Sequence, residues 1–162
     1  MRFTTRTEYG LVCLIYMARH SDFKFDPITT RELVKAEGFS ITYTEKILQG
    51  LRAAKIVVAH HGNQGGYALG RHPSEITLKE IIEALEGSTF DVFCEPEVRK
   101  EITCTHFPAC QVKPLWEQTK ELLDDFYGSM TLEMLAKNGI HATSLRAKNN
   151  VRSAAGSAVT RK

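Results

Sequence analysis

Three of the four cysteines lie within one short segment of the sequence. Nine residues separate Cys94 from Cys104, and five separate Cys104 from Cys110. Pro96 and Pro108 prevent a long helix across this segment. The thiols are therefore not arranged as the core stripe of a helix. Because thiolates are soft donors that suit iron–sulfur clusters and zinc, the spacing indicates a metal or redox site in an irregular loop.

The ligand types favour an iron–sulfur cluster over zinc. A structural zinc site usually has four Cys or His ligands, often in Cys-x-x-Cys pairs, and this sequence contains no such pair. His106 lies between two of the cysteines and is either a ligand or, as we favour, a residue of the loop surface. Cys13 lies in an apolar stretch, which is more typical of a small core residue than of a ligand.

The formal charge is unevenly distributed. Residues 1–73 carry ten Lys/Arg against six Asp/Glu, residues 74–133 carry five against thirteen, and residues 134–162 carry six against none. A basic head indicates a polyanionic partner such as nucleic acid, although an ordinary solvated surface would also produce this pattern. No apolar run approaches the roughly 20 residues that span a bilayer. We therefore expect a cytoplasmic protein, a setting in which clustered cysteines are more often metal-binding or redox-active than structural disulfides.

The first half of the chain predicts a helix-turn-helix. A first helix is expected over 5–19, with Thr5 and Glu8 at capping-box spacing. A short helix over 30–37, a break at 38–40 and a longer helix from 41 to about 54 follow. Ser40 is expected to cap the longer helix. The positions of its apolar stripe are Ile41, Thr44, Ile47, Leu48, Leu51 and Ala54.

A hairpin directly after the second helix predicts a wing. Two short β-prone runs within 56–69 surround a polar turn that contains Gly65 and Gly66. The second helix of a helix-turn-helix enters the major groove by its N-terminal turns. The candidate DNA contacts of this head, residues 1–87, are Arg2, Ser40, Thr42, Tyr43, Glu45, Lys46, Gln49, His61 and Asn63.

The second half predicts helices around the cysteine loop. Thr77 and Glu80 form a second capping box before a helix over 78–85 that ends at Gly87. The cysteine loop occupies 88–111. Apolar residues then recur at helical spacing up to Gly128, at Val112, Leu115, Trp116, Thr119, Leu122, Leu123 and Phe126.

A long amphipathic helix needs a cover for its apolar stripe. A second copy of the same helix is the expected cover, and packing back onto the head is the alternative. A short helix capped by Thr131 closes the region 112–138. Residues 139–162 read as a disordered basic tail. The expected fold class is mainly α, with a winged helix-turn-helix head plus a long C-terminal dimerisation helix.

The ordered set of these motifs resembles the Rrf-type winged-helix transcriptional regulators. This family includes the iron–sulfur regulator IscR, the nitric-oxide-sensing repressor NsrR and the iron regulator RirA. The resemblance covers about residues 1–138. It rests on Met-Arg-Phe-Thr at the start, on Ser40–Tyr43, on Gly65-Gly66-Tyr67, on the helix 77–87 and on cysteines before a long helix. The Cys104–Cys110 segment looks most like the NsrR and RirA end of the family.

The resemblance implies a homodimeric bacterial regulator whose loop cysteines bind an iron–sulfur cluster. The implied ligands are Cys94, Cys104 and Cys110, with 4Fe-4S favoured over 2Fe-2S, although the gap between the first two is longer than is usual in those groups. Lys113 stands where the IscR branch has a ligand histidine. In NsrR-type proteins a carboxylate of the partner's first helix completes the site, and Glu8 matches that position. Glu8 is thus a fourth ligand, a helix cap or both.

Two further features of the resemblance concern side chains outside the cysteine loop. In some relatives a side chain of the helix-turn-helix also reaches the cluster, which makes Glu37 a remote candidate ligand. His61 stands where some relatives have a wing arginine.

The expected function is a transcriptional regulator whose operator affinity is controlled by a cluster that senses nitric oxide, redox state or iron. The alternative is a cluster-free regulator of the same fold, in which the cysteines form a thiol redox switch. A third hypothesis, a Cys–His enzyme that uses Cys104 or Cys110 with His106, has little support. The sequence has no nucleophile elbow and no Gly-rich phosphate loop after a strand. We expect no enzymatic activity.

Overall fold

The computed structural model describes residues 3–20, 26–62, 65–91 and 109–138. These parts of the chain are mainly helical, as predicted. The helices are α1 (Thr5–His20), α2 (Thr30–Glu37), α3 (Ile41–Ala53), α4 (Leu78–Glu86), α5 (Lys113–Gly128) and α6 (Leu132–Asn138). The strands are β1 (Val57–His60) and β2 (Gly66–Leu69), and a 3₁₀ turn spans Pro73–Glu75.

Helix α1 lies at the centre of the head and packs against α2, α3, α4 and α6. Its inner face buries Cys13, Leu14 and Met17. The surrounding elements bury large apolar side chains against it, among them Leu33, Ile47, Leu48, Leu51, Ile56, Ile81 and Leu132. Because burying each such side chain contributes about 1.5–3 kcal/mol, this cluster stabilises the arrangement of α2 and α3 on α1.

The two strands form the predicted wing. Val57 pairs with Leu69 and His60 with Gly66 in an antiparallel register. Ile28 and Tyr67 exchange two backbone hydrogen bonds of 2.8 and 2.9 Å. A Cβ at Gly66 would collide with the Ile28 carbonyl group, so glycine permits this close approach. The wing is thereby joined to the segment that leads into α2.

Capping residues set the ends of α2 and α4. The Thr29 and Glu32 side chains form a capping box at α2, and Thr77 and Glu80 form the predicted box at α4. Gly38 ends α2 in a left-handed conformation at φ 72°, which glycine adopts without strain. The turn between the two helices of the head is therefore determined locally.

The predicted capping box between Thr5 and Glu8 is wrong. Helix α1 already includes Thr5, so Thr4 precedes its first residue. The Thr4 and Thr7 hydroxyls instead donate hydrogen bonds to the carboxylate of Glu86, at the end of α4. A tertiary partner at the helix start has replaced the local pair.

Two positions of the apolar stripe of α3 lie outside the core. Thr44, Ile47, Leu48 and Leu51 are buried as expected, whereas Ile41 is 46% exposed and Ala54 lies on the surface. Both lie at the ends of the helix, where the core no longer covers the stripe.

The C-terminal end of α5 packs onto the head. Tyr127 is buried with Leu78, Ile82 and Met130 in a second apolar cluster, and Leu123 packs against it. The rest of the predicted stripe has no such cover within the described residues. Its exposed large side chains are Val112, Leu115, Trp116, Leu122 and Phe126.

Candidate nucleic-acid interface and thiol site

Helix α3 and the residue before it present a polar face to solvent. Five of the predicted DNA contacts are exposed there, namely Ser40, Thr42, Glu45, Lys46 and Gln49. Ser40 precedes the helix, but its side chain makes no capping hydrogen bond within the described residues. Its hydroxyl group is thus available to another partner. The first turn of α3 contains no acidic residue, so the positive end of the helix dipole is not neutralised there.

Two aromatic contacts attach the start of α3 to α1. The rings of Tyr9 and Phe39 stack with centroids 3.8 Å apart and an interplanar angle of 7°. Tyr43 meets Tyr9 edge to face at 5.7 Å. Tyr43, predicted as a DNA contact, is half-buried. Part of its surface therefore packs inside the head and part remains available outside.

The wing presents one predicted contact to solvent. His61 is exposed at the end of the hairpin, and the adjacent His60 is also exposed. Asn63 and Arg2, the other candidates in this group, lie outside the described residues. Gly62, with a φ of 121°, turns the chain at the wing tip.

Two cysteines fall within the described residues, and they have contrasting surroundings. Cys13 is fully buried, and burial, aided by the negative charge of Glu37, raises the pKa of its thiol to about 11. A thiol in this environment remains protonated and unreactive, so the interpretation of Cys13 as a core residue is confirmed. Cys110 is a free, half-buried cysteine just before α5.

The other candidate ligands are distributed as follows. Cys94, Cys104 and His106 lie outside the described residues. Glu8 is exposed on α1, and Glu37 is half-buried at the end of α2. Within the described part of the chain, no three His, Cys, Asp or Glu side chains come together as a metal site. Cys110 and the glutamates therefore do not form a complete site by themselves.

The segment that enters the cysteine loop is attached to α5. The Thr89 hydroxyl donates a hydrogen bond to the Asp124 carboxylate, which also accepts one of 3.1 Å from the Lys79 ammonium group. The rings of Phe90 and Trp116 have centroids 6.1 Å apart. Since Trp116 lies in the first turns of α5 after Cys110, these contacts bring the two ends of the loop to the same helix.

Comparison with known proteins identifies the family. Residues 3–138 match the family model Rrf2, described as iron-dependent transcriptional regulator. The chain belongs to the Rrf2 family. It is 30% identical over 138 residues to the HTH-type transcriptional regulator IscR of Xenorhabdus nematophila, covering 85% of this chain and 80% of that protein.

Solved structures agree with this assignment to the Rrf2 family. The structure of CymR, the global cysteine regulator of B. subtilis, matches with a TM-score of 0.68 and 28% identity, covering 86% of this chain and 99% of that one. The structure of T. potens IscR matches with a TM-score of 0.62 and 26% identity, covering 89% and 96%. The predicted winged-helix fold and the resemblance to Rrf-type regulators are confirmed.

The family assignment also confirms the coarse function. This Rrf2-family chain is a DNA-binding transcriptional regulator and not an enzyme. None of its described helices is long and apolar enough to cross a membrane.

Two tertiary contacts of this Rrf2-family protein were not predicted from the sequence. The first is the stack of Tyr9 on Phe39, and the second is the Glu86 carboxylate that holds the start of α1. Tyr9 occurs in the sequence as one of several apolar positions of its helix, and Glu86 as one of several acidic residues before Gly87. Neither has a local signal, because its partners are distant in the chain.

Proposed function

We propose that this protein is a homodimeric regulator whose operator affinity is controlled by an iron–sulfur cluster. The described ends of the cysteine loop both lie at α5: Thr89 and Phe90 contact that helix, and Cys110 is a free thiol in the turn before it. A change in this segment would act on the contacts that attach the head to α5.

The donor set fits the cluster. We assign Cys94, Cys104 and Cys110 as thiolate ligands and Glu8 of a second copy as the fourth. Three soft donors suit iron–sulfur chemistry, with 4Fe-4S favoured. A cluster of this kind supplies a group that nitric oxide, oxygen or iron shortage alters. Glu8 suits a replaceable ligand because its side chain is exposed and has no hydrogen bond or ion pair to the described residues.

The exposed stripe of α5 supports assembly as a dimer. Leu122 is 73% exposed and Leu115 is 56% exposed on the same helix. Large apolar side chains in one row are covered in most stable proteins. A second copy of α5 offers a complementary row about a two-fold axis. We therefore assign region 112–138 to dimerisation.

Contacts within the head support the transmission of a displacement from α1 to α3. Glu8 is adjacent in sequence to Tyr9, whose ring contacts both Phe39 in the turn and Tyr43 in α3. A displacement of α1 at Glu8 therefore acts directly on the residues that orient the first turn of α3. Binding to two half-sites requires a fixed spacing between the two heads, so a small displacement changes affinity.

We assign DNA contacts to the exposed polar face of α3 and to the wing. The hydroxyl and basic side chains position the protein on phosphates, and Glu45 and Gln49 are suited to base edges. Arg2, Tyr43, His61 and Asn63 complete the assigned set. Such a regulator acts where the bacterial chromosome is, in the cytoplasm.

The test is anaerobic purification followed by the visible spectrum and by iron and sulfide counts per chain. We expect a brown protein with stoichiometric iron and sulfide. Cys110→Ser should abolish loading and Glu8→Ala should make the cluster labile, whereas the matched controls Cys13→Ala and Glu75→Ala should leave it unchanged. A colourless, iron-free protein, under conditions that keep a known cluster protein loaded, would overturn cluster control.

The second candidate function is a thiol switch without a cluster. It is favoured by the similarity to the structure of CymR, the global cysteine regulator of B. subtilis. Under this hypothesis the iron-free protein binds DNA. Mild oxidation then joins two of Cys94, Cys104 and Cys110 and changes the affinity. Peptide mapping after peroxide treatment, with each cysteine replaced in turn, separates the two functions.

A further inference from the structure

Helix α3 carries one large apolar side chain that is largely exposed among the described residues. Ile41 is 46% exposed, whereas Ile47, Leu48 and Leu51 of the same helix are 0% exposed. Ile41 is the first residue of α3. It therefore lies at the N-terminal end of α3, and this is the end by which the second helix of a helix-turn-helix enters the major groove.

The neighbours of Ile41 belong to the face that we assign to DNA. Ser40 and Thr42 flank it and are both exposed. Glu45 is four residues later, so its side chain lies on the same side of the helix, one turn further along. The apolar group is thus continuous with the polar interface rather than part of a separate patch.

We propose that Ile41 is a specificity-determining residue that contacts the 5-methyl group of a thymine in the major groove. The thymine methyl group is the apolar element of the major-groove code, and apolar side chains read it by contact. Glu45 is suited to accept a hydrogen bond from a neighbouring cytosine amino group. The side chains together favour a thymine beside a cytosine in each half-site.

This inference rests on the proposed role of α3 as the DNA-reading helix and does not depend on the cluster. A second copy is the other conceivable cover for Ile41. The continuity of Ile41 with the exposed polar face of α3 favours DNA, because the exposed stripe of α5 already provides a separate surface for a second copy.

The test uses a duplex that the anaerobically purified full-length protein selects from a random library. Each thymine is then replaced in turn by deoxyuridine, which removes only the methyl group, and affinity is measured by fluorescence anisotropy. Burying one carbon contributes about 0.8 kcal/mol to binding. In each half-site we therefore expect one thymine at which a single deoxyuridine substitution weakens binding about fourfold. The Ile41→Ala protein should bind the thymine duplex more weakly than the wild type does. The same deoxyuridine substitution should not weaken its binding further.

Controls distinguish this inference from the others. Met134→Ala, which truncates another exposed apolar side chain on α6, should retain the full deoxyuridine effect. An unchanged melting temperature should show that Ile41→Ala is folded. The contact would be overturned if every deoxyuridine substitution weakened the binding of wild type and Ile41→Ala equally. It would also be overturned if Ile41→Ala changed only the stability of the dimer or of the cluster. Failure to enrich any duplex would overturn the assigned DNA readout, and this inference with it.

Discussion

Helices α3 and α5 carry apolar residues at the same helical spacing, but their stripes have different surroundings. The middle of the α3 stripe, from Thr44 to Leu51, is buried against α1 and the wing, with Leu48 and Leu51 fully covered. Among the described residues, the α5 stripe joins an apolar cluster at its C-terminal end, around Leu123 and Tyr127, whereas Leu122 is 73% exposed. Periodicity thus shows that a helix has an apolar side, and the surroundings decide whether that side is core or interface.

The strongest test of this contrast compares a leucine from each stripe. Leu48→Ala should destabilise the protein by about 2–5 kcal/mol, because it leaves a cavity in a closed core. This loss, measured by urea unfolding, should not depend on protein concentration. Leu122→Ala should have little effect in dilute protein and a larger one at concentrations where dimers form. Equal losses at all concentrations would show that the two stripes do not differ.

A charge in the α5 stripe should separate the two copies. Leu122→Asp should convert the dimer to monomers in sedimentation experiments, because a carboxylate would be buried without a partner. Operator affinity should fall by about 100-fold or more, since two linked heads bind far better than one. Glu121→Gln also changes the charge by one, at an exposed position about 100° around the helix from Leu122 and outside the apolar stripe, and should leave both properties intact. A dimeric Leu122→Asp protein would assign the stripe to another partner.

The contact between α1 and α3 allows a finer test. Tyr9→Leu should reduce operator affinity by about two- to tenfold, the scale of an aromatic pair, because α3 loses its support. Tyr16→Leu is the matched control on α1, since the Tyr16 ring stacks on His20 of its own helix, with centroids 3.9 Å apart. Similar losses in the two variants would mean that general helix stability, and not the Tyr9 stack, determines affinity.

The junction between α1 and α4 should show the smallest effect. Although partial burial alone would raise the pKa of Glu86, the hydrogen bonds from Thr4 and Thr7 hold it below its ordinary value. The carboxylate therefore stabilises the fold above its unfolded-state pKa of about 4.3, and this contribution is lost as the pH falls further through the folded-state pKa.

Glu86→Gln should accordingly cost about 1 kcal/mol at pH 7, and the difference from wild type should shrink below about pH 4. Urea unfolding at the two pH values measures this. Glu75→Gln is the control, since its exposed carboxylate makes no hydrogen bond in the described chain. A difference that persists undiminished in acid would assign the loss to packing rather than to charge.

Much of the fold could be predicted because it is encoded locally. The Thr77–Glu80 pair marks the start of α4, and Gly38 marks the turn before α3. The glycines of the hairpin mark the wing. Each signal acts within a few residues of the chain, where backbone geometry and hydrogen bonding are decided by neighbouring side chains. The fold class and the order of the elements followed from such signals.

The candidate site was less predictable because its contacts join distant parts of the chain. Thr5 and Glu8 have ideal capping-box spacing, yet Thr4 and Thr7 bond to Glu86 instead. Ile41 has the spacing of a core residue, yet it lies beyond the edge of the core. Local spacing does not include these competing partners.

The sequence by itself determined the residue types that can do chemistry: soft thiols in one segment, and hydroxyl, amide and charged groups on the leading turns of α3. Tertiary structure alone decided their surroundings. It buried Cys13 and left Cys110 half-exposed, placed Tyr9 between the turn and α3, and exposed Ile41 beside the polar face. The physical reason is that burial depends on which distant surfaces meet, and a linear pattern does not contain that information.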